Sequence, residues 1–136
     1  MAAEILIVDD DRVIRELLTL HLTTAGYRVR VAEDALVAGR MILESAPDLL
    51  LVDVEMPYMS GFQLVATLLA DQTVPYIPVI FLTSKEGIEE RVDALGARLL
   101  LKPCRSDGLL KMVERCLTEA GSVHPAVLQA AALAAS

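Results

Sequence analysis

The sequence alternates five short apolar runs with five longer segments of helical periodicity, and this alternation limits the possible folds more than any other feature. Most of the runs are apolar at successive positions, as in Leu49–Val52, which indicates strands that are buried on both faces. When such strands alternate with helices, they form a parallel sheet that is covered by helices on each side. The predicted fold is therefore α/β, a doubly wound five-stranded parallel sheet with five helices.

The boundaries of the elements follow from the same patterns and from the turn residues between them. The predicted strands are 4–8, 27–32, 48–52, 77–82 and 98–101. The predicted helices lie within 11–26, 34–46, 62–71, 87–95 and 107–121. The apolar positions of the first helix are Val13, Ile14, Leu17, Leu18 and Leu22, and those of the second are Ala35, Ala38, Ile42 and Leu43. Gly26 and Pro47 fit positions at which these two helices should end.

Composition restricts the class of protein. The chain has 136 residues, 54% of them hydrophobic, which is enough for one domain with a core. No run approaches the roughly eighteen apolar residues of a membrane span, and the N-terminus lacks the basic region of a signal peptide. Cys104 and Cys116 form no CxxC pair and have no histidines at ligand spacing. We therefore expect a reduced, cytoplasmic setting and no membrane partner.

The charge and the last segment bear on partners and on domain organisation. A net charge of −7 argues against direct nucleic-acid binding by this domain, because such binding depends on Lys and Arg side chains that neutralise phosphates. Residues 121–136 are rich in Ala and fall outside the five-unit pattern. The predicted domain is therefore 1–120, followed by a frayed Ala-rich tail or a helical linker to an output module outside this sequence.

Polar residues stand at the carboxyl ends of four predicted strands. Asp9, Asp10 and Asp11 follow the first strand, Asp53 the third, Thr83 and Ser84 the fourth, and Lys102 the fifth. In a parallel sheet these ends meet at one edge, and the ligands of such sheets bind there. The edge should therefore collect several carboxylates, one or two hydroxyl groups and one ammonium group.

This combination of groups has a specific chemistry. Carboxylates that are gathered in one place repel one another unless a cation or a proton relieves them. Oxygen ligands without imidazole or thiolate suit Mg²⁺ (or Mn²⁺), which takes phosphate oxygens as further ligands. Lys102 and a hydroxyl group could hold the other oxygens of a phosphoryl group. The set predicts a magnesium-assisted phosphoryl site in which one carboxylate is the nucleophile.

Each of these residues also has a purely structural interpretation. Asp10 or Asp11 could cap the first helix, and the hydroxyl residues after the fourth strand could cap the fourth helix. Lys102, taken alone, could be a surface lysine. Asp53 is harder to explain in this way, because apolar residues precede it and a buried carboxylate needs a partner. The joint placement at four strand ends favours the functional interpretation.

Four motifs together resemble the successive signatures of response-regulator receiver domains of two-component signalling. They are ILIVDDD, LLLVDVEMPYMSG, IPVIFLTS and LLLKPC, and the resemblance runs from about Glu4 to Ala120. A lone acidic pair would be weak evidence, whereas the four motifs in this order are highly specific. The resemblance implies a flavodoxin-like sheet with the strand order 2-1-3-4-5.

The resemblance assigns a phosphoryl-transfer role to three residues. Asp53 would accept a phosphoryl group from a histidine kinase or a histidine phosphotransfer protein. Thr83 would hydrogen-bond the phosphoryl group, and Lys102 would form an ion pair with it. The bond between Lys102 and Pro103 would be cis, as is usual in the family. The domain would catalyse its own Mg²⁺-dependent phosphorylation and dephosphorylation, and its switch in conformation would control a downstream effector domain or protein.

The resemblance also implies a metal site. Asp10 would bind Mg²⁺ directly, and Asp9 would act beside it through water. Asp53 and the backbone carbonyl of Glu55 would complete the protein ligands. The third acid, Asp11, is given no ligand role.

Part of the chain departs from the family pattern. Thr83 and Lys102 are 19 positions apart, fewer than the family layout has, and the shortfall lies where the fourth helix joins the fifth strand. Leu99 stands where the family usually has Tyr or Phe, and Cys104 replaces a frequent Phe. In the usual switch that aromatic ring rotates as the hydroxyl residue moves to the phosphoryl group. Leu99 cannot respond in this way, which leaves the output route open.

Several alternatives remain open at the level of sequence. Glu55 and Lys85 occupy positions that tune the dephosphorylation rate in the family, and a mutual salt bridge over the site entrance is an equal alternative. The protein could be a phosphorylation-independent protein-binding module, although its complete set of site residues argues against this. A small metal-dependent phosphatase-like enzyme would need a separate acid–base residue or a substrate cap. A homodimer through the fourth or fifth helix is common in the family.

Overall fold

A five-stranded parallel sheet forms the centre of the protein. The computed structural model describes residues 2–102 and 105–120. The strands are β1 Glu4–Val8, β2 Arg28–Ala32, β3 Leu49–Asp53, β4 Val79–Thr83 and β5 Arg98–Leu101. Their order in the sheet is β2-β1-β3-β4-β5, and all neighbours are parallel. The predicted fold class and strand order are confirmed.

Helices cover both faces of this sheet. They are α1 Arg12–Thr24, α2 Ala35–Glu44, α3 Gly61–Ala70, α4 Glu89–Ala94 and α5 Ser106–Glu119. The layer of α1 and α5 buries Leu18, Leu22, Leu109, Val113 and Cys116. The other face is covered by α2, α3 and α4, which contribute Ile42, Phe62 and Val92. Because β2 and β3 lie on opposite sides of β1, the winding reverses there, and a crevice opens at the carboxyl ends of β1 and β3.

The inner strands are buried along their length, whereas the edge strands are partly exposed. Every residue of β3 and β4 is buried, in agreement with their continuous apolar sequence. β2 and β5 each have a single neighbouring strand, and their exposed residues include Arg28 and Arg98. β3 and β4 thus carry their polar residues only at the carboxyl ends, where Asp53 and Thr83 lie.

Some apolar residues that define the predicted helical faces are exposed. In α1, Leu18 and Leu22 are buried, but Val13 is 69% exposed and Leu17 is 46% exposed. The five apolar positions of this helix spread over roughly half of its circumference, and an outer-layer helix buries a stripe only about 100° wide. Leu43, at the end of α2, is exposed as well. The helices were predicted correctly, but their buried faces are narrower than the apolar pattern.

Two boundaries differ from those predicted. β4 begins at Val79 rather than at 77, because Pro78 has no N–H to donate to a neighbouring strand. The Pro78 carbonyl still accepts a hydrogen bond from the N–H of Leu50 at 2.9 Å. α4 has only six residues, and its N-cap, Ile88, provides no side-chain acceptor. This short α4 lies within the segment between Thr83 and Lys102, whose length is reduced relative to the family pattern.

Three sequence predictions fall outside the described residues. They concern the cis bond before Pro103, the substitution at Cys104 and the Ala-rich segment 121–136. Within the described residues, no helix is long and apolar enough to cross a membrane.

Candidate functional site

The polar strand-end residues come together at the crevice between β1 and β3. Asp9 follows β1, Asp53 ends β3, Thr83 ends β4 and Lys102 follows β5. The strands hold these positions through their register, in which Val8 pairs with Val52 and Asp53 with Leu82. The prediction that these residues meet at one edge is therefore correct in its geometry.

Three carboxylates form the centre of this site. Oxygen atoms of Asp9, Asp10 and Asp53 all lie within 4.8 Å of one another. Asp9 is fully buried and Asp53 is 7% exposed, whereas Asp10 is exposed. Two buried carboxylates in such proximity are unfavourable unless positive charge or hydrogen bonds stabilise them.

Asp9 is held by hydrogen bonds on both carboxylate oxygens. Its Oδ1 accepts from the backbone N–H of Asp11 at 2.9 Å, and its Oδ2 accepts from Nζ of Lys102 at 2.9 Å. The Asp9 carbonyl accepts from the guanidinium of Arg15 at 2.8 Å, which ties the end of β1 to the first turns of α1. Asp9 is therefore fixed in position and paired with the lysine of the site.

The negative charge of Asp53 is less completely offset by hydrogen bonds and positive charge than that of Asp9. Its Oδ1 accepts from the N–H of Glu55 at 3.2 Å, and its Oδ2 lies 3.4 Å from Nζ of Lys102. The pKa of Asp53 is raised from 3.8 to about 6, mainly by burial and then by the charge of Asp9, while Lys102 and the Glu55 N–H act in the opposite direction. The Asp53 carboxylate is thus a stronger base than an ordinary aspartate and remains mostly ionised at neutral pH.

Lys102 lies between the two buried carboxylates. Burial lowers its pKa, but the hydrogen bond to Asp9 and the charges of Asp53 and Asp9 outweigh burial, and the net pKa is raised. Its side chain is 22% exposed, so the ammonium group reaches the mouth of the crevice. One lysine thus serves two buried acids, and the site has an excess of negative charge.

Thr83 presents a hydroxyl group beside the carboxylates. The residue is buried, and its Oγ1 accepts from the N–H of Lys85 at 3.0 Å. Its carbonyl accepts from the N–H of Lys102 at 2.8 Å, which joins the ends of β4 and β5. Because a hydroxyl oxygen that accepts can still donate its proton, Thr83 can bind an anion in the crevice.

The loop after β3 is packed tightly against the site. A Cβ atom on Gly61 would collide with the carbonyl oxygen of Asp53, so only glycine fits at this position. The Gly61 N–H donates to the carbonyl of Val54 at 2.9 Å. Ser60 then caps α3 through a capping box with Gln63. This packing explains the spacing between the aspartate and the glycine of the second motif, LLLVDVEMPYMSG.

An exposed ion pair crosses the mouth of the crevice. Nζ of Lys85 lies 3.4 Å from Oε1 of Glu55, and both side chains are more than half exposed. The predicted alternative of a salt bridge over the entrance is present in the structure. The pair connects the loop after β3 with the loop after β4.

The structure also decides between the capping alternatives. Asp11 caps α1 and accepts hydrogen bonds from the N–H groups of Val13 and Ile14. Asp11 therefore has a structural role as the cap of α1, and Asp10 does not cap this helix. The alternative that Thr83 or its neighbour caps α4 is wrong, because no side chain caps that helix.

Three features of the site were not predicted. The hydrogen bond between Lys102 and Asp9 joins distant segments, whereas the bond from Arg15 to the Asp9 carbonyl and the packing of Gly61 on Asp53 depend on how nearby segments fold back on each other. The only sequence signal for any of them is the glycine at the end of the second motif, LLLVDVEMPYMSG.

The sequence and the fold agree with one family. The family model of the response regulator receiver domain matches residues 5–114. The chain belongs to this family. The response regulator MprA of Mycobacterium ulcerans is 39% identical over 97 residues, which are 71% of this chain and 41% of that protein. This receiver domain chain thus spans about two fifths of the length of the curated relatives that it matches.

Solved structures share the fold of this receiver domain. The chemotaxis protein CheY4 of Vibrio cholerae is 32% identical with a TM-score of 0.79, and the alignment covers 85% of this chain and 99% of that one. The receiver domain of the sensor histidine kinase PA1611 of Pseudomonas aeruginosa is 26% identical with a TM-score of 0.78, covering 87% and 99%. The PA1611 domain was crystallised with a magnesium ion coordinated in its active site cleft.

The acidic cluster of this receiver domain fits a magnesium ion. The described side-chain donors are carboxylate oxygens, which Mg²⁺ prefers over nitrogen or sulfur ligands. Three carboxylates face one lysine, so the cluster has more negative charge than Lys102 offsets. Donor type and charge excess both suit a divalent cation.

Proposed function

We propose that this receiver domain is a phosphorylation switch in which Asp53 accepts a phosphoryl group from a histidine kinase or a histidine phosphotransfer protein. The observation that carries the proposal is the cluster of three carboxylates around a single lysine at the switch-point crevice. A structural ion pair would need only one acid for one cation. The excess negative charge instead suits a site that receives a divalent cation and a phosphoryl group.

In the proposed transfer, a carboxylate oxygen of Asp53 attacks the phosphorus of a phosphohistidine. An O–P bond forms while the N–P bond breaks, and the electron pair of the broken bond remains on the imidazole nitrogen. Burial supports this role, because an Asp53 with a pKa of about 6 is ionised at neutral pH and more basic than an exposed aspartate. In the reverse of the switch, water attacks phosphorus and releases inorganic phosphate and the free carboxylate.

Lys102 and Thr83 would hold the transferred group. Nζ of Lys102 is 3.4 Å from the Asp53 carboxylate and reaches the mouth of the crevice, so it can form an ion pair with a phosphoryl oxygen. The Thr83 hydroxyl lies at the end of the adjacent strand and can donate to another oxygen. A phosphoryl group on Asp53 would thus weaken the bond between Lys102 and Asp9, which couples the chemistry to the local structure.

The metal role of the acidic residues is part of the same proposal. Asp9, Asp10, Asp53 and the backbone carbonyl of Glu55 would hold Mg²⁺ or Mn²⁺. The ion supplies positive charge that offsets the charge of the phosphoryl oxygens during transfer. Fixation of Asp9 by the Asp11 N–H and by Arg15 would keep this ligand set in place.

A phosphorylation-independent binding module is the second candidate, motivated by Leu99 in place of the usual aromatic residue. The complete site argues against it, since Lys102 contacts both Asp9 and Asp53, and Thr83 ends the strand next to Asp53. The phosphatase-like enzyme is not favoured by any contact among the described residues. The kinase, the effector and a cytoplasmic location are parts of the proposal that follow from the family.

Intact-mass spectrometry of the full chain with Mg²⁺ and acetyl phosphate tests this function. We expect the mass to increase by one phosphoryl group, and we expect no increase when Mg²⁺ is chelated. Asp53→Asn should abolish the uptake. Asp93→Asn is the matched control, because Asp93 is exposed on α4, and it should be phosphorylated like the parent chain.

The opposite result would be equally informative. If calorimetry shows that Mg²⁺ binds but the parent chain gains no phosphoryl group, the switch is refuted and the constitutive binding module becomes the better explanation. If Asp53→Asn still gains a phosphoryl group, the acceptor is another residue.

A further inference from the structure

Arg91 of α4 lies over a buried aromatic ring of α3. Its guanidinium carbon is 4.2 Å from the centroid of the Phe62 ring. Phe62 is buried, so the ring offers one face to the cation while the rest packs in the core. This distance is well within the range of a cation–π contact.

Phe62 is directly connected to the phosphoacceptor. It follows Gly61, whose α-carbon packs against the carbonyl of Asp53. The Gly61 N–H is bonded to the carbonyl of Val54, the residue after the acceptor. If the loop after β3 moves and this packing is kept, the Phe62 ring must therefore move with it.

Phe62 also contacts the strand that carries Thr83. The Phe62 and Phe81 ring centroids are 4.9 Å apart, with the planes tilted by 59°. Phe81 lies two residues before Thr83 in β4 and pairs in the sheet with Leu99 of β5. Leu99 thus pairs with Phe81, Phe81 contacts Phe62, and Arg91 lies at the end of this chain of contacts.

Helix α4 has few other means of fixing its position. It has six residues, no side-chain cap and one buried residue, Val92. Gly87 and Gly96, on either side of it, have positive φ values of 82° and 68°. A helix held so lightly can shift when one of its few contacts changes.

We propose that the contact between Arg91 and Phe62 is a latch that couples the loop after β3 to helix α4, and that it transmits the state of Asp53 to the surface of α4. The proposal rests on the phosphorylation switch proposed above. In this chain Leu99 has no ring to rotate, and Phe62 with Arg91 provides the aromatic connection between the site and α4. Arg91 is a positioning residue in this scheme and touches none of the reacting atoms.

Hydrogen-exchange mass spectrometry of the full chain tests the latch. Exchange in peptides that cover 86–97 is compared with and without Mg²⁺ and acetyl phosphate, and intact mass is measured on the same samples. In the parent chain, we expect the exchange rates of these peptides to differ between the phosphorylated and unphosphorylated samples. In Arg91→Ala, the ratio of these two rates should be about two- to fivefold closer to one, while phosphoryl uptake persists. Arg91→Lys, which keeps the charge, should restore part of the response.

Glu90→Ala is the matched control, because Glu90 is an exposed neighbour on the same short helix. It should retain the full response of α4. A parent-like response in Arg91→Ala, or an equal loss in Glu90→Ala, would overturn the latch. So would a parent chain that takes up phosphate without any change at 86–97. Absence of uptake in the parent chain would instead refute the phosphorylation switch, and the latch with it.

Discussion

The carboxyl edge of the sheet and helix α4 are neighbours, but they are held in place by different means. At the edge, Asp9 has hydrogen bonds on both carboxylate oxygens, and Lys102 links it to Asp53. α4 has six residues, one of them buried, and no side-chain cap. The edge is fixed by charge and by buried hydrogen bonds, whereas α4 is fixed by a small amount of apolar packing.

Under the proposed switch, this difference would separate the phosphoryl chemistry at the edge from the structural response of α4. A site that binds a metal and a phosphoryl group must hold its ligands in place before they arrive. An element that reports on the site must instead move at low energetic cost. In the proposed switch, adjacent segments of one chain would meet these two requirements, and the loop after β4 joins them.

Loss of the site lysine should have the largest effect on the fixed edge. Lys102→Ala leaves two buried carboxylates without their cation, so the free energy of unfolding should fall by about 3–5 kcal/mol near neutral pH in the absence of metal. Chemical denaturation measures this change, and Mg²⁺ should restore part of it. Lys111→Ala, on the exposed side of α5, should change stability by less than about 0.5 kcal/mol. Equal losses in both variants would show that Lys102 is not the counter-charge.

Removal of the charge on Asp53 should stabilise the protein, with a defined pH dependence. The pKa of this group is raised in the folded state from 3.8 to about 6, so the folded state binds the proton more tightly than the unfolded state. That contribution is present below pH 3.8 and is lost as the pH rises through about 6. Asp53→Asn should therefore gain at most about 3 kcal/mol above pH 7 without metal, and nothing at low pH.

Unfolding of Asp53→Asn and of the parent chain at several pH values checks this prediction. The two stability curves should converge on acidification. Mg²⁺ should stabilise the parent chain more than the variant. A gain that is independent of pH would mean that packing, rather than charge, causes the difference.

Truncation of a buried side chain in α4 should lower the free energy of unfolding by less than Lys102→Ala does. This loss should not depend on the charges of the site. Val92→Ala removes two methyl groups from the buried anchor of the helix, and we expect a loss of about 2 kcal/mol. Hydrogen exchange should accelerate mainly in 89–97, and neither pH nor Mg²⁺ should alter the loss. A loss that depends on Mg²⁺ would contradict the separation between the two regions.

The exposed ion pair between the regions should matter least for stability. Glu55→Gln and Lys85→Gln should each change the free energy of unfolding by about 0.5 kcal/mol or less, because both side chains are largely in solvent. The rate of phosphoryl loss is the more informative measurement. If the pair acts as one unit over the crevice, both variants should shift this rate in the same direction, and opposite shifts would show that each residue acts separately.

The two regions also differ in how far sequence could predict them. The residues at the edge were found because they end apolar strands, and parallel strands bring their carboxyl ends together. For the region of α4, the sequence showed only that the spacing between Thr83 and Lys102 is short. It did not show that the helix has a single buried residue and no side-chain cap. The contact of Arg91 with Phe62 had no sequence signal, since the two residues belong to helices that meet only in the folded protein.

The sequence by itself determined the parallel sheet, its helices and the set of polar residues at the strand ends. These features depend on local periodicity and on the direction of the chain, which are written in consecutive residues. Tertiary structure alone decided that Lys102 bonds to Asp9, that Val13 is left in solvent and that only glycine fits at Gly61. The first joins segments that are far apart in the chain, and the other two depend on how a helix or a loop packs against the sheet, which consecutive residues do not specify.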